Sequence, residues 1–150
     1  METPDVVTSI VLSAHALARI AAQDAGNDAP SAQWRALGIL ERQGAMRLGA
    51  LASAARTTQP GMTRLVGALE RTGLVARTSD PDDSRATLVT VTTAGLQALT
   101  DWRAEFRDTL APRFATLSGD EWSVLQRAAD ILAARAQESP AKTPMTGGHE

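Results

Sequence analysis

The stretch Gly73-Leu-Val-Ala-Arg-Thr-Ser-Asp-Pro-Asp-Asp-Ser-Arg-Ala-Thr-Leu-Val-Thr-Val-Thr92 decides the fold. Residues 74–78 and 86–92 are rich in β-branched side chains and read as two short strands. Residues 79–84 between them carry turn chemistry, and the polar loop presents Arg85 two residues from a carboxylate, Asp83. Just upstream, Leu48, Leu51, Ala52 and Ala55 give a short helix, and Arg56-Thr57-Thr58 a turn. Met62, Leu65, Val66 and Leu69 then repeat at i, i+3, i+4, i+7, with Thr58 as the expected N-cap and Pro60 tolerated in the first turn. Two helices joined by a short turn and followed by a hairpin predict a winged helix-turn-helix over residues 33–95.

The remaining elements flank this module. Residues 5–24 have a helical period with a broad apolar face (Val6, Val7, Ile10, Val11, Leu17), and Gly26–Pro30 is a break. Ser31 can cap a helix with the stripe Trp34, Leu37, Leu40, which Gln43-Gly44 ends. Residues 45–47 read as extended. Thr92 or Thr93 can cap a fifth helix bearing Leu96, Leu99, Trp102, Phe106 and Leu110, which Pro112 would kink or interrupt. Ser118 and Glu121 form a capping box for a last helix at about 119–137, with Trp122, Leu125, Ala129, Leu132 and Ala136 on one face. Residues 139–150 read as a flexible tail. The expected fold is mainly α with a small β wing, one domain over residues 1–150. The helices at 5–24 and 96–137 are more apolar than the central module can cover, which points to a second copy as their partner.

Composition narrows the function. The chain has 150 residues, 43% of them apolar, enough for a real core. It has no cysteine, which removes disulfides, thiolate metal sites and thiol-based sensing. No unbroken run of about 18 apolar residues is present, so no membrane span is expected. Glu2 and Asp5 stand where a secretory signal would be basic, so the expected location is the cytoplasm. The net charge of −2 argues against a nucleic-acid binder until its distribution is read. Residues 47–79 hold Arg47, Arg56, Arg64, Arg71 and Arg77 against one acid, Glu70. That local excess of positive charge on an acidic body suits a DNA-facing surface.

In a helix-turn-helix the second helix enters the major groove with its N-terminal residues at the base edges. Here these are Thr58, Gln59, Pro60, Gly61, Thr63 and Arg64, with Thr57 just before them. Gln59 can read adenine, Arg64 a guanine or a phosphate, and Gly61 can allow close approach to the DNA backbone. Arg47, Arg71 and Arg77 are further candidate contacts, as are Asp83, Ser84 and Arg85 in the wing. Asp83 lies on the same face of an extended segment as Arg85, so it can fix the guanidinium that enters a minor groove. The same spacing also fits a plain surface ion pair. The wing acids Asp80, Asp82 and Asp83 admit a metal-site reading, which Pro81 and the lack of a nearby histidine disfavour. Little supports an enzyme: the chain has two histidines, no glycine-rich phosphate loop and no activated serine. A winged helix used only for protein interaction remains a competing reading.

Asp80-Pro-Asp-Asp83-Ser-Arg85 followed by Val89-Thr-Val91-Thr92-Thr-Ala-Gly95 resembles the MarR family signature D-x-R … V-x-L-T-x-x-G, with Val91 where that family usually has leucine. Leu48-x-x-Leu51-Ala52, Met62–Val66 and Leu69–Val75 fall where that family has its helix-turn-helix. Pro60-Gly61 at the start of the reading helix is a second departure. The resemblance implies a homodimeric transcriptional regulator, usually a repressor, on a pseudo-palindromic double-stranded operator. Its first and last helices would form the dimer, Arg85 would serve the minor groove, and no cofactor is implied. The resemblance further implies release from DNA by a small aromatic or anionic ligand. His15, Arg19, Trp34, Leu37 and Met46 are the candidate pocket residues. Each of them also has an ordinary reading as a core or surface residue.

Overall fold

The computed structural model describes residues 3–25 and 31–137; the expected break at 26–30 and tail at 139–150 lie outside the described residues. In chain order the elements are α1 (Thr3–Asp24), α2 (Ser31–Gln43), β1 (Met46–Arg47), α3 (Leu48–Ala54), α4 (Gln59–Arg71), β2 (Val75–Asp80), β3 (Asp83–Val91), α5 (Thr93–Leu110) and α6 (Gly119–Gln137). A single 3-10 turn, Ala111–Phe114, holds Pro112 where an interruption was expected. The chain divides into two compact units, Met1–Pro112 and Arg113–Glu150.

In the first unit the three strands form one antiparallel sheet in the order β1-β3-β2. Leu37 and Leu40 of α2, Leu51 of α3, Met62, Val66 and Leu69 of α4, Val89 of β3 and Leu99 of α5 are its largest fully buried side chains. They form one cluster, so the apolar periods predicted for the separate helices converge on a single core. α1 lies outside that cluster and packs on α5.

The helix ends follow the expected chemistry. Thr58 Oγ1 accepts from Gly61 N–H at 3.1 Å, capping α4. Thr92, rather than Thr93, caps α5 by accepting from Gly95 N–H at 3.0 Å. At the end of α4, Gly73 N–H donates to Glu70 O and Leu74 N–H to Leu69 O, with Gly73 at φ 78°. Helix α3 ends in the same bond pattern: Arg56 N–H donates to Ser53 O and Thr57 N–H to Ala52 O. There the left-handed residue is Arg56, at φ 53°.

Two expectations change. The strands run farther than predicted, and only Pro81 and Asp82 separate them. Paired aspartates explain this, because each carboxylate supplies a local bond that the backbone lacks (below). Residues 5–24 also prove long and apolar enough, by length and composition, to cross a membrane. Val6, Val7, Ile10, Val11, Leu12, Leu17 and Ile20 raise the mean hydropathy, while Thr8, Ser9, Ser13, His15 and Arg19 interrupt the run.

The second unit carries α6. Ser118 and Glu121 form the predicted capping box: Glu121 N–H donates to Ser118 Oγ at 3.2 Å, and Ser118 N–H to Glu121 Oε2 at 2.8 Å. Phe114 packs against Trp122 with ring centroids 6.2 Å apart. Trp122, Val124, Leu125 and Ile131 remain exposed.

Gly95 is the least replaceable glycine among the described residues. A Cβ there would lie 2.1 Å from the Leu74 carbonyl oxygen and 2.7 Å from Val91 Cγ2. Gly95→Ala should cost about 1–3 kcal/mol or more, since the obstacle is backbone. A thermal melt checks this; an unchanged Tm would show that α5 can shift to make room.

Candidate nucleic-acid interface

Helix α4 presents its N-terminal end with a limited set of free polar groups. The Thr58 hydroxyl is occupied by its cap bond, and Thr63 Oγ1 donates to Gln59 O at 2.9 Å. Pro60 and Gly61 carry no polar side chain. A Cβ at Gly61 would sit 3.0 Å from Thr58 Oγ1, so this glycine makes room for the cap, a reason not read from the sequence. Gln59 and Arg64 are exposed and have no side-chain partner among the described residues. Thr57 differs from expectation: its Oγ1 is buried and without a hydrogen-bond partner among the described residues, so it is not offered to solvent.

The wing is built on two successive aspartate turns. Asp80 Oδ1 accepts from Asp82 N–H at 2.9 Å, and Asp83 Oδ1 from Arg85 N–H at 3.0 Å. Asp80 pairs with Asp83 and Ser79 with Thr87, which leaves Ser84, Arg85 and Ala86 unopposed by β2. Such an irregularity re-aims a side chain out of the ladder. Asp83 therefore holds the Arg85 backbone, whereas the sequence reading had it holding the guanidinium. The Arg85 side chain is exposed and has no ion pair among the described residues.

Two of the predicted basic contacts are already engaged. Arg77 Nε donates to Glu70 Oε2 at 3.1 Å. Arg47 Nε and Nη2 both donate to Asp80 Oδ2, at 3.0 and 2.9 Å. Strands β1 and β2 flank β3 on opposite sides, so this pair straps the wing hairpin to β1 across the middle strand. The Asp80 side chain is only 10% exposed. Its carboxyl is held below the ordinary carboxylate value, first by the Asp82 N–H and then by Arg47. Arg47 is raised in turn, first by its hydrogen bond to Asp80 and then by the charge. Arg56, Arg64, Arg71 and Arg85 have no such partner among the described residues.

A cavity of about 780 Å³ opens between α1, α2 and α5. Three of the five candidate pocket residues, His15, Arg19 and Trp34, line it. Leu37 does not, being fully buried in the core, and Met46 does not, being paired with Val89 in the sheet. Trp102, Arg103 and Phe106 of α5 and Arg35 and Arg42 of α2 complete the lining. Trp34 and Trp102 stack with centroids 5.2 Å apart and planes 12° apart, and Phe106 lies 5.1 Å from Trp102. Three of the five aromatic residues in this chain thus meet at one place, a clustering that their helical spacing had disguised as core. Arg103 pairs with Glu41 at 2.9 Å. Arg35 Nη1 donates to the Ala55 carbonyl at 3.1 Å, joining the cavity wall to the turn between α3 and α4.

Known proteins are similar to this chain in sequence and fold. Residues 30–87 match the model of the MarR family. A helix-turn-helix transcriptional regulator of Mycobacterium bovis is 40% identical over 108 residues, covering 72% of this chain and 76% of the relative. A regulator of Mycobacterium leprae is 37% identical over the same shares. Among solved structures, Rv1404 of Mycobacterium tuberculosis matches with a TM-score of 0.73 at 25% identity, over 95% of this chain and 99% of that one. A MarR family protein of Bacillus stearothermophilus matches in fold with a TM-score of 0.71 at 22% identity, over 92% and 99%.

The strap makes a testable difference. If Arg47 braces the wing, Asp80→Asn and Arg47→Ala each speed amide exchange in β2 and β3, and the double variant exchanges no faster than either single one. Additive effects would mean that the two side chains act separately. Because the Asp80 carboxyl is depressed, its stabilising bond is complete above about pH 4 and is lost only as pH falls through the lower folded value. The pair's contribution to wing exchange protection should therefore stay constant between pH 5 and 8.

Proposed function

The chain belongs to the MarR family of helix-turn-helix transcriptional regulators, and we propose that it is a homodimeric repressor released from DNA by an aromatic anion. The observation that carries the DNA reading is the guanidinium of Arg85, unpaired among the described residues, on the aspartate-braced wing, beside a reading helix whose free groups among those residues are Gln59 and Arg64. Gln59 and Arg64 reach base edges or phosphates in the major groove, and Arg85 enters the adjacent minor groove. Arg71 adds backbone contact. Arg47 and Arg77 act through the ion pairs they already make.

The dimer reading rests on apolar side chains left in solvent. Val6, Val7, Val11 and Leu12 on α1, and Trp122, Val124, Leu125 and Ile131 on α6, are all exposed in the protomer. Two protomers would place two copies of α4 one helical turn apart, about 34–36 Å, on a pseudo-palindrome.

The ligand reading rests on the cavity. Stacked tryptophans offer a flat apolar surface, and Arg19, Arg35 and Arg42 offer cationic forks at its rim. An aromatic carboxylate fits both. Arg35 links that event to DNA: an anion that draws its guanidinium inward takes a hydrogen bond from Ala55 O, next to the turn that leads into α4.

Binding of the DNA upstream of the protein's own gene, followed by fluorescence anisotropy across salt concentrations, tests the reading. Wild type should weaken steeply with salt, and Arg85→Ala should lose about tenfold or more in affinity. Millimolar benzoate should quench tryptophan emission and displace the DNA, and Trp34→Ala should blunt both effects. Salt-insensitive binding, or benzoate without effect on either signal, would remove the corresponding part of the proposal.

A further inference from the structure

Three helices in the first unit end on a left-handed residue. For α2 and α4 it is a glycine, Gly44 at φ 79° and Gly73 at φ 78°. For α3 it is Arg56 at φ 53°, the one non-glycine residue with positive φ among the described residues. The three ends do the same backbone task. At Ala55–Thr57 the capping bonds match those after α4: position C′ donates to C2 and position C″ to C3. Glycine meets that demand without the steric clash that a Cβ brings. Among the described residues nothing offsets the clash at Arg56. Its side chain is exposed and makes no hydrogen bond or ion pair among the described residues.

A residue held in an unfavourable conformation without internal compensation points to an external role. The position indicates which one. Arg56 stands two residues before Thr58, the N-cap of α4, in the turn that carries the chain into the reading helix. It follows Ala55, whose carbonyl Arg35 holds from the cavity side. The turn that carries Arg56 leads into the end of α4 assigned to the major groove, where the negative groups within reach of an exposed guanidinium would be DNA phosphates. We infer that Arg56 is a DNA-backbone contact, retained in a glycine position because its charge is needed there. The inference rests on the DNA-binding reading above. It adds a residue that the sequence had counted only as part of a basic segment, and it assigns that residue to positioning rather than base choice, since phosphate contacts carry no sequence information.

The two possible roles make opposite predictions for Arg56→Gly. Glycine relieves the backbone, so the variant should melt at the same temperature as wild type or higher. Its affinity should nevertheless fall about tenfold, equally on DNA from upstream of the protein's own gene and on a scrambled duplex of the same length. The slope of log affinity against log salt should become shallower by about 0.9 for each protomer bound. Arg56→Lys, which keeps the charge, should restore most of that slope. If Arg56→Gly binds with unchanged affinity and slope while Arg85→Ala is impaired, the Arg56 assignment is overturned and the DNA reading stands. If the affinity loss comes with a lower melting temperature and an unchanged slope, Arg56 is structural and the assignment is again overturned. If wild type shows no salt-dependent binding to either duplex, the DNA reading fails first.

Discussion

The close backbone approach at Gly95 organises the rest of the first unit. The first turn of α5 lies against the Gly73-Leu74 corner so tightly that only a glycine fits at position 95. Thr92 closes that junction three times. Its N–H donates to Leu74 O at 3.1 Å, its hydroxyl donates to Gly73 O at 2.6 Å, and the same oxygen caps α5 through Gly95 N–H. Four elements meet there: the end of α4, the start of β2, the end of β3 and the start of α5. The pairing of Val75 with Val91 follows directly, and with it the register of the whole hairpin. The wing reaches its position relative to α4 because its base is closed at this corner.

Charge is arranged by the same economy. A count along residues 47–79 finds five arginines and one acid, but a linear count cannot see pairing. Arg77 folds onto Glu70, and Arg47 crosses β3 to reach Asp80, just outside the counted window. What remains unpaired among the described residues is a smaller set, Arg56, Arg64 and Arg71 with Arg85 beyond them. These lie in the helix-turn-helix turn, on the reading helix and on the wing. The wing acids do more than dilute attraction to nonspecific DNA. Asp80 and Asp83 each bond a backbone N–H two residues on, so the tip is stiff without needing glycine.

Much of this was legible in the sequence because local rules agreed with the global fold. The helical periods of α2, α4 and α5, the Thr58 cap, the Ser118–Glu121 box and Gly44 and Gly73 all read correctly, since each depends on neighbours within about four residues. The features that escaped depend on residues far apart in the chain. The partner of Arg47 is 33 positions away, and Trp34 meets Trp102 from another helix. Leu37 and Trp34 share one predicted stripe, yet one faces the core and the other borders the cavity. A period places a side chain on a face but does not say which neighbour that face will meet. Asp83 illustrates the same limit at short range: the D-x-R spacing was read for two side chains, and the bond formed is to a backbone N–H.

The cavity and the reading head are joined at both ends of one helix. Helix α4 is held at its N-terminal side by the α3–α4 turn, which Arg35 of α2 braces through Ala55 O. It is held at its C-terminal side by the Thr92 and Gly95 junction, which belongs to α5. α2 and α5 form two walls of the cavity, joined by the Trp34–Trp102 stack as well as by the Arg103–Glu41 pair. A close-packed core transmits displacement because it has little free volume to absorb it. A molecule that enters between those tryptophans cannot part α2 from α5 without loading both attachments of α4. The reading helix would then be tilted as a body rather than melted at one end, which is the kind of change that alters fit in a DNA groove while leaving the fold intact.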